Sequence, residues 1–321
     1  MRRSGTLLAT IACALLTAPR LLAQSGWVVR PAPAEALWYH AMALVGAQGF
    51  GALPLYDPGY PAAVRRERDR RGVGPTPLER QAADFRAAFE ADSAFEVLHF
   101  LPLYTPTIAP EDLLTTAAPN LAAGVLQTTT ARTLFDRFVS AVRDEWQAAY
   151  RPEYRNGAAA LQTDLAAVER RWTREVQPAI RAYLERERLP SGIILPIRGL
   201  GPDGRFVPAS KLAPAIIAVQ LPRDPTHAGD AALFAVRELC YPVVRKALAA
   251  PGLLPDDRVA AEALSGRAAV RCGAMLLEVA APSLGQAYRE AFLRAAGSKG
   301  AFEAVYPVPD QLLTSLREAL R

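Results

Sequence analysis

Between Thr130 and Arg188 the apolar residues recur at helical spacing over a long, almost unbroken stretch, and this limits what the chain can become more than any motif does. Leu134, Phe135, Phe138, Val139, Val142, Trp146 and Ala149 mark one stripe over Thr130–Tyr150. Leu161, Leu165, Val168, Trp172, Val176, Ile180 and Leu184 mark a second over Gly157 to about Arg188, with Pro178 placed to kink it. Each stripe must be covered, and two in succession predict an antiparallel helical layer. Upstream, Pro33–Gln48 and the short charged Pro61–Arg71 also read as helices. Thr76-Pro77-Leu78-Glu79 reads as a helix start, with a threonine cap, a proline in the first turn and a glutamate behind it, and the helix is expected to run to about Ala91. The apolar run Ala94–Leu103 fits strand or buried helix equally, because periodicity does not separate the two over so short a span. The aromatic segments around Trp38-Tyr39 and Phe100–Tyr104 read as core.

The character changes after Pro190. Ile193–Ile197 is β-branched, Gly199–Gly204 is a turn, and Arg205-Phe206-Val207 returns as a strand. Ala213–Leu221 is another strand, ended by Pro222–Pro225. Helices follow over Asp230 to about Ala249 (despite Pro242), Arg258–Val279, Gly285–Ala296 and Pro309–Leu320. The fold class is therefore α+β and predominantly helical, with a small antiparallel sheet followed by a motif helix and a second packed helix. A helical region over residues 26–188 and an α+β region over 189–321 are expected to form one compact unit.

The helix after the strands carries Ala235-Val236-Arg237-Glu238-Leu239-Cys240-Tyr241-Pro242. Short strands, then a helix with a central glutamate, then a second long helix, resemble the catalytic half of H-E-x-x-H zinc metallopeptidases, the thermolysin-like gluzincins in particular. The resemblance spans about Ser191–Ala296. It implies a zinc held by two histidines four apart, a glutamate between them that polarises the bound water, and a third, acidic ligand on the later helix. Glu238 matches the glutamate and would be a vestigial general base. Arg237 and Tyr241 replace the two histidines. Arginine has no lone pair to give zinc, and tyrosine would ligate only as phenolate. Glu262 and Glu278 are both candidates for the remnant of the third ligand. Among the three histidines, His40, His99 and His227, none pairs at helical spacing, and His227 belongs to the turn before the Glu238 helix. The plain alternative is an ordinary amphipathic helix with Arg237 and Glu238 exposed.

At the N-terminus, Arg2 and Arg3, the uncharged Leu7–Leu16, Pro19 and Ala23-Gln24-Ser25 read as a secretory signal peptide over residues 1–25, cut near Ser25. A rival cut at Cys13 would leave a lipid-anchored protein. The chain carries 37 basic and 32 acidic residues; Arg2, Arg3 and Arg20 leave with the signal, so the mature count is 34 against 32. The run Arg65–Arg71 contains two acids and reads as a solvated helix face, so nucleic acid is not an expected partner. No segment of the mature chain is long and apolar enough to cross a membrane. Cys240 and Cys272 then form the only cysteine pair, in an oxidising compartment, and are expected to bridge.

No nucleophile elbow or phosphate loop occurs, and Glu111 and Asp112 belong to the first turn of a short helix. The expected function is that of an exported (periplasmic or extracellular) noncatalytic protein without a cofactor, binding an unknown peptide or protein partner in a former substrate groove. In it Arg237 pairs with Glu238 or a nearby carboxylate and occupies the space of a cation. One alternative is a working zinc-dependent peptidase with Glu238 as base and Glu262 or Glu278 with Tyr241 at the metal. Another is a structural envelope protein.

Overall fold

The computed structural model describes residues 26–49, 53–106, 108–210 and 213–321; the expected signal peptide lies outside the described residues. Its centre is a four-stranded sheet of β1 (Trp27–Val29), β2 (Gly192–Ile197), β3 (Arg205–Val207) and β4 (Ala215–Gln220), in the order β1-β2-β4-β3. The fold is α+β and predominantly helical. The sheet is not antiparallel as expected: β1 runs parallel to β2 and β2 parallel to β4, and only β3 is antiparallel, against β4. The cause is in the connections. Val207 turns back into β4 and not into β2, so β4 is drawn between β2 and β3, and β2 and β4 end up codirectional. Strand β1 has only three residues, too few to show a period. It is fixed by Trp27, whose indole N–H donates to the Leu189 carbonyl at 2.9 Å. A Cβ on Gly192 would fall 2.4 Å from that ring, so only glycine lets β1 and β2 meet at this register.

The helices used below are α1 (Pro33–Val45), α2 (Tyr60–Arg70), α3 (Thr129–Glu145), α4 (Ala158–Arg171), α5 (Asp230–Leu239), α6 (Tyr241–Leu248), α7 (Arg258–Ala280), α8 (Pro282–Ala295) and α9 (Asp310–Leu320). Strand residues alternate between two cores, as the two-residue strand period requires. Ile193, Leu195, Ile197, Ile216 and Ala218 pack with α1 and α3. Ile194, Ala215, Ile217 and Val219 pack with α5–α9. Helix α4 and its continuation also belong to this second core through Val168, Trp172, Val176 and Leu184. The two long stripes therefore do not form one antiparallel layer. The first covers one face of the sheet and the second the other, and the chain passes between them at Gly157.

Prolines are accommodated in a recurring way. Leu113–Ala117, Trp146–Tyr150 and Trp172–Val176 are wide helical turns, and Pro119, Pro152 and Pro178 stand two residues beyond each. A proline removes one N–H and crowds the carbonyl a turn earlier; widening that turn relieves both without breaking the helix. The Thr76–Glu79 capping box forms as the sequence implies, but the helix breaks at Gln81 before resuming to Ala91. The ambiguous run after Ala94 folds as two tight turns, Ser93–His99 and Leu101–Tyr104.

Candidate functional site

Every residue of α5 is buried, so the reading of Arg237 and Glu238 as an exposed face does not hold. Arg237 is 0% and Glu238 1% exposed. The Arg237 guanidinium donates to Glu238 Oε1, to Asp203 Oδ1 and to the Tyr241 hydroxyl, the last at 2.8 Å. Tyr241 opens α6 after a break at Cys240, and the guanidinium carbon lies 5.2 Å from its ring centroid. Asp203, buried in the turn before β3, also accepts from Arg205 at 3.0 Å. Arg205 lies over the Phe100 ring at 5.1 Å. Two guanidinium groups and two carboxylates thus balance within one buried cluster.

The turn is shaped for this contact. A Cβ on Gly204 would sit 2.6 Å from the Ala218 carbonyl and 2.8 Å from Glu238 Oε1. Glycine is what allows β3 to pass directly over the Glu238 carboxyl.

The electrostatics follow from burial and pairing. Burial works against the charge of Arg237, but Tyr241, Glu238 and Asp203 outweigh it and hold the guanidinium firmly protonated. Burial raises the Glu238 carboxyl, with Arg237 opposing. Asp203 is held below its usual range because Arg237 and Arg205 overcome its burial. Burial pushes the Tyr241 phenol up, away from phenolate. His99, whose Nδ1 shares a 2.8 Å hydrogen bond with the Tyr56 hydroxyl, is lowered to about 3 by burial and Arg205 and stays neutral. Glu238 Oε2, Arg237 Nε and Arg205 Nε have no hydrogen-bond partner among the described residues.

Zinc does not fit the residues in the two histidine positions. A protonated guanidinium lies between Glu238 and Asp203, and Tyr241 is a neutral phenol that accepts from it. Among the described residues no group of three or more His, Cys, Asp or Glu side chains is placed to hold a metal ion.

The structure separates the two later glutamates. Glu262, exposed on α7, lies within electrostatic range of Asp203 and Arg205, and its carboxyl is raised by partial burial with Glu96 and Asp203 nearby. Glu278 is roughly 24 Å further along the same helix, by its rise per residue, and pairs with Arg289 at 2.9 Å. Of the two, Glu262 is the one within electrostatic range of the cluster's Asp203 and Arg205. His227 sits in the turn before α5, as expected, 3.9 Å from Asp230.

Cys240 and Cys272 are brought together between the α5–α6 junction and α7, both fully buried. The expected bridge is not present. They are two free thiols lying near one another, and burial followed by the neighbouring Cys272 pushes the Cys240 thiol well up. A bridge needs the sulfurs about 2 Å apart.

The sequence reading missed Asp203, Arg205, Tyr56 and His99. Asp203 was hidden inside a turn whose glycines explained it sufficiently. His99 and Tyr56 reach Arg205 only through tertiary folding, for which no local spacing exists.

Compared with known proteins, the chain matches no protein family, no curated protein and no solved structure.

Proposed function

We propose that this is a noncatalytic protein on a zinc-metallopeptidase-like scaffold, in which the Arg237 guanidinium takes the place of the cation and the open edge of β3 receives an extended peptide. The observation that carries this reading is the buried Arg237 bridging Glu238, Asp203 and Tyr241. In this reading the guanidinium stands in for the positive charge of the resembled enzymes' metal, without the ability to activate water. The peptide part is supported by β3: its residues are half-buried, and its outer edge has no strand partner among the described residues. Such an edge binds extended chain by main-chain hydrogen bonds. No helix among the described residues is long and apolar enough to cross a membrane. The reading extends to export, with residues 1–25 removed.

A second reading, a zinc-dependent peptidase, is favoured by one observation: Glu262 lies within electrostatic range of Asp203 and Arg205. It requires Arg237 to leave its carboxylates. The test is elemental analysis of purified protein together with cleavage of a mixed peptide library. The proposal expects no stoichiometric zinc and no cleavage above that of Glu238→Gln. Stoichiometric zinc with cleavage lost in Glu238→Gln overturns it. A purely structural role predicts that no peptide of the library is retained by the folded protein either.

A further inference from the structure

The carboxyl ends of the three parallel strands open into a cleft away from Arg237. Pro31 and Ala32 follow β1, Ile197 and Arg198 end β2, and Arg223 follows β4; all line it. The chain leaves β1 into α1 on one face of the sheet and leaves β4 into α5 on the other. Divergence of this kind at the carboxyl ends of parallel strands makes a crevice, the usual ligand position in open α/β sheets. The cleft measures about 510 Å³, within the range of small-molecule sites.

Its aromatic wall is fixed from beneath. Tyr60, Tyr150 and Tyr154 line the cleft. The Tyr60 hydroxyl hydrogen-bonds His40 Nδ1 at 2.8 Å, and His40 Nε2 meets Glu145 Oε1 at 2.8 Å. The Tyr150 ring stacks on His40 at 4.2 Å, and Tyr154 follows at 6.0 Å from Tyr150. Glu145 is further held by Arg68 and by Thr76 Oγ1. His40 and Glu145 are wholly buried. Burying such groups is costly and adds little stability over an apolar core. What it supplies here is a set of rings locked in one arrangement, which lowers the ordering cost of binding.

The charges on the rim are matched. Arg198 meets Asp164 at 2.6 Å, Arg223 meets Asp57 at 2.9 Å, Arg71 meets Glu153 at 3.5 Å, and Glu67 meets Arg70. The lining itself carries Arg71, Arg198 and Arg223 against Glu67 and Glu153; Asp164 and Asp57 offset two of the arginines from outside it, and Arg198 Nε is left without a hydrogen-bond partner among the described residues. The cleft does not favour an ion. It suits a ring with an apolar face for the tyrosines and an edge that both donates and accepts.

We infer that this cleft is a binding site for a neutral, hydroxyl-rich ligand, a short oligosaccharide, with the half-buried Tyr154 as the stacking ring, the buried Tyr150 and Tyr60 behind it, and Arg198, Arg223 and Glu153 as hydrogen-bonding partners. The site is separate from the Arg237 cluster, and its failure leaves the peptide reading untouched.

The test is isothermal titration and saturation-transfer NMR of the purified protein with chitotriose, cellotriose and maltotriose, with phosphate and benzoate as charged controls. At least one trisaccharide is expected to saturate one site. Tyr154→Ala should weaken it tenfold or more, and Ala63→Trp, which places an indole on the half-buried cleft wall, should abolish it while the protein keeps its melting temperature. Absence of binding by all three trisaccharides overturns the inference, as does binding by phosphate or benzoate alone. Binding that survives in a folded Ala63→Trp protein also overturns it.

Discussion

Two buried arginines organise the molecule's polar interior, and they are satisfied to different degrees. Around Arg68, Glu145 uses both oxygens: Oε1 on His40 and Arg68, and Oε2 on Thr76. Glu79 and Glu153 complete the arginine's fork at 2.8 and 3.1 Å. Around Arg237, one Glu238 oxygen and the Nε atoms of Arg237 and Arg205 have no hydrogen-bond partner among the described residues. A closed network of this kind rigidifies its surroundings. An unfinished one is kept where folding alone is not the reason for it. The Arg68 cluster therefore acts as a foundation, and the Arg237 cluster is the less completely paired of the two.

The difference is sharpest in truncation. Arg237→Met leaves Glu238 and Asp203 buried with Arg205 alone and should cost about 3–5 kcal/mol, the cost of unpairing a buried ion pair. Arg68→Met strips Glu145, Glu79 and Glu153 of their shared partner, with Arg71 left only at Glu153, and should cost at least as much. Urea denaturation of both variants measures this, and a smaller loss in Arg68→Met breaks the comparison. Gly204→Ala should cost about 1–3 kcal/mol, as overpacking does, because the new methyl meets the Ala218 carbonyl and Glu238.

Acid should affect the two regions in different windows that overlap between about pH 4.5 and 3. His99 is lowered from 6.5 to about 3 by burial and Arg205, so the unfolded chain binds a proton there that the folded one refuses. Stability contributed by neutral His99 is thus lost as pH falls from about 6.5 towards 3. Glu145 is held at about 2: His40 and Arg68 outweigh its burial. Its contribution is present above the unfolded carboxylate range near 4.5 and is lost as pH falls from there towards 2. His99→Phe should flatten the first window and Glu145→Gln the second. The smallest effect is at the thiols. Unreduced protein should titrate two thiols in denaturant, Cys240 and Cys272. None before reduction and two after would show that the pair bridges.

Much of this was legible. The stripes of Thr130–Arg188, the Thr76 cap and the change after Pro190 are local patterns, and they became helices and strands. What escaped depended on distance along the chain. Strand β1 is too short to carry a period, and its partner lies 165 residues later at Trp27↔Gly192. Parallel pairing of β2 with β4 depended on where Val207 turned. The motif comparison led to Arg237, Glu238 and Tyr241 but not to Asp203, Arg205 or His99, which enter from other elements. It left Glu262 and Glu278 equal, and only helix length separated them.

The central claim is that Arg237 takes a cation's place in a metallopeptidase-like scaffold. The direct test is the zinc content of the wild-type protein against that of a folded Arg237→His/Tyr241→His double variant, which restores two histidines four apart. The account predicts no bound zinc in the wild type and one zinc per chain in the double variant, weakened by adding Glu262→Ala and untouched by Glu278→Ala. A folded double variant that takes up no zinc, or a wild-type protein that holds it stoichiometrically, would contradict it.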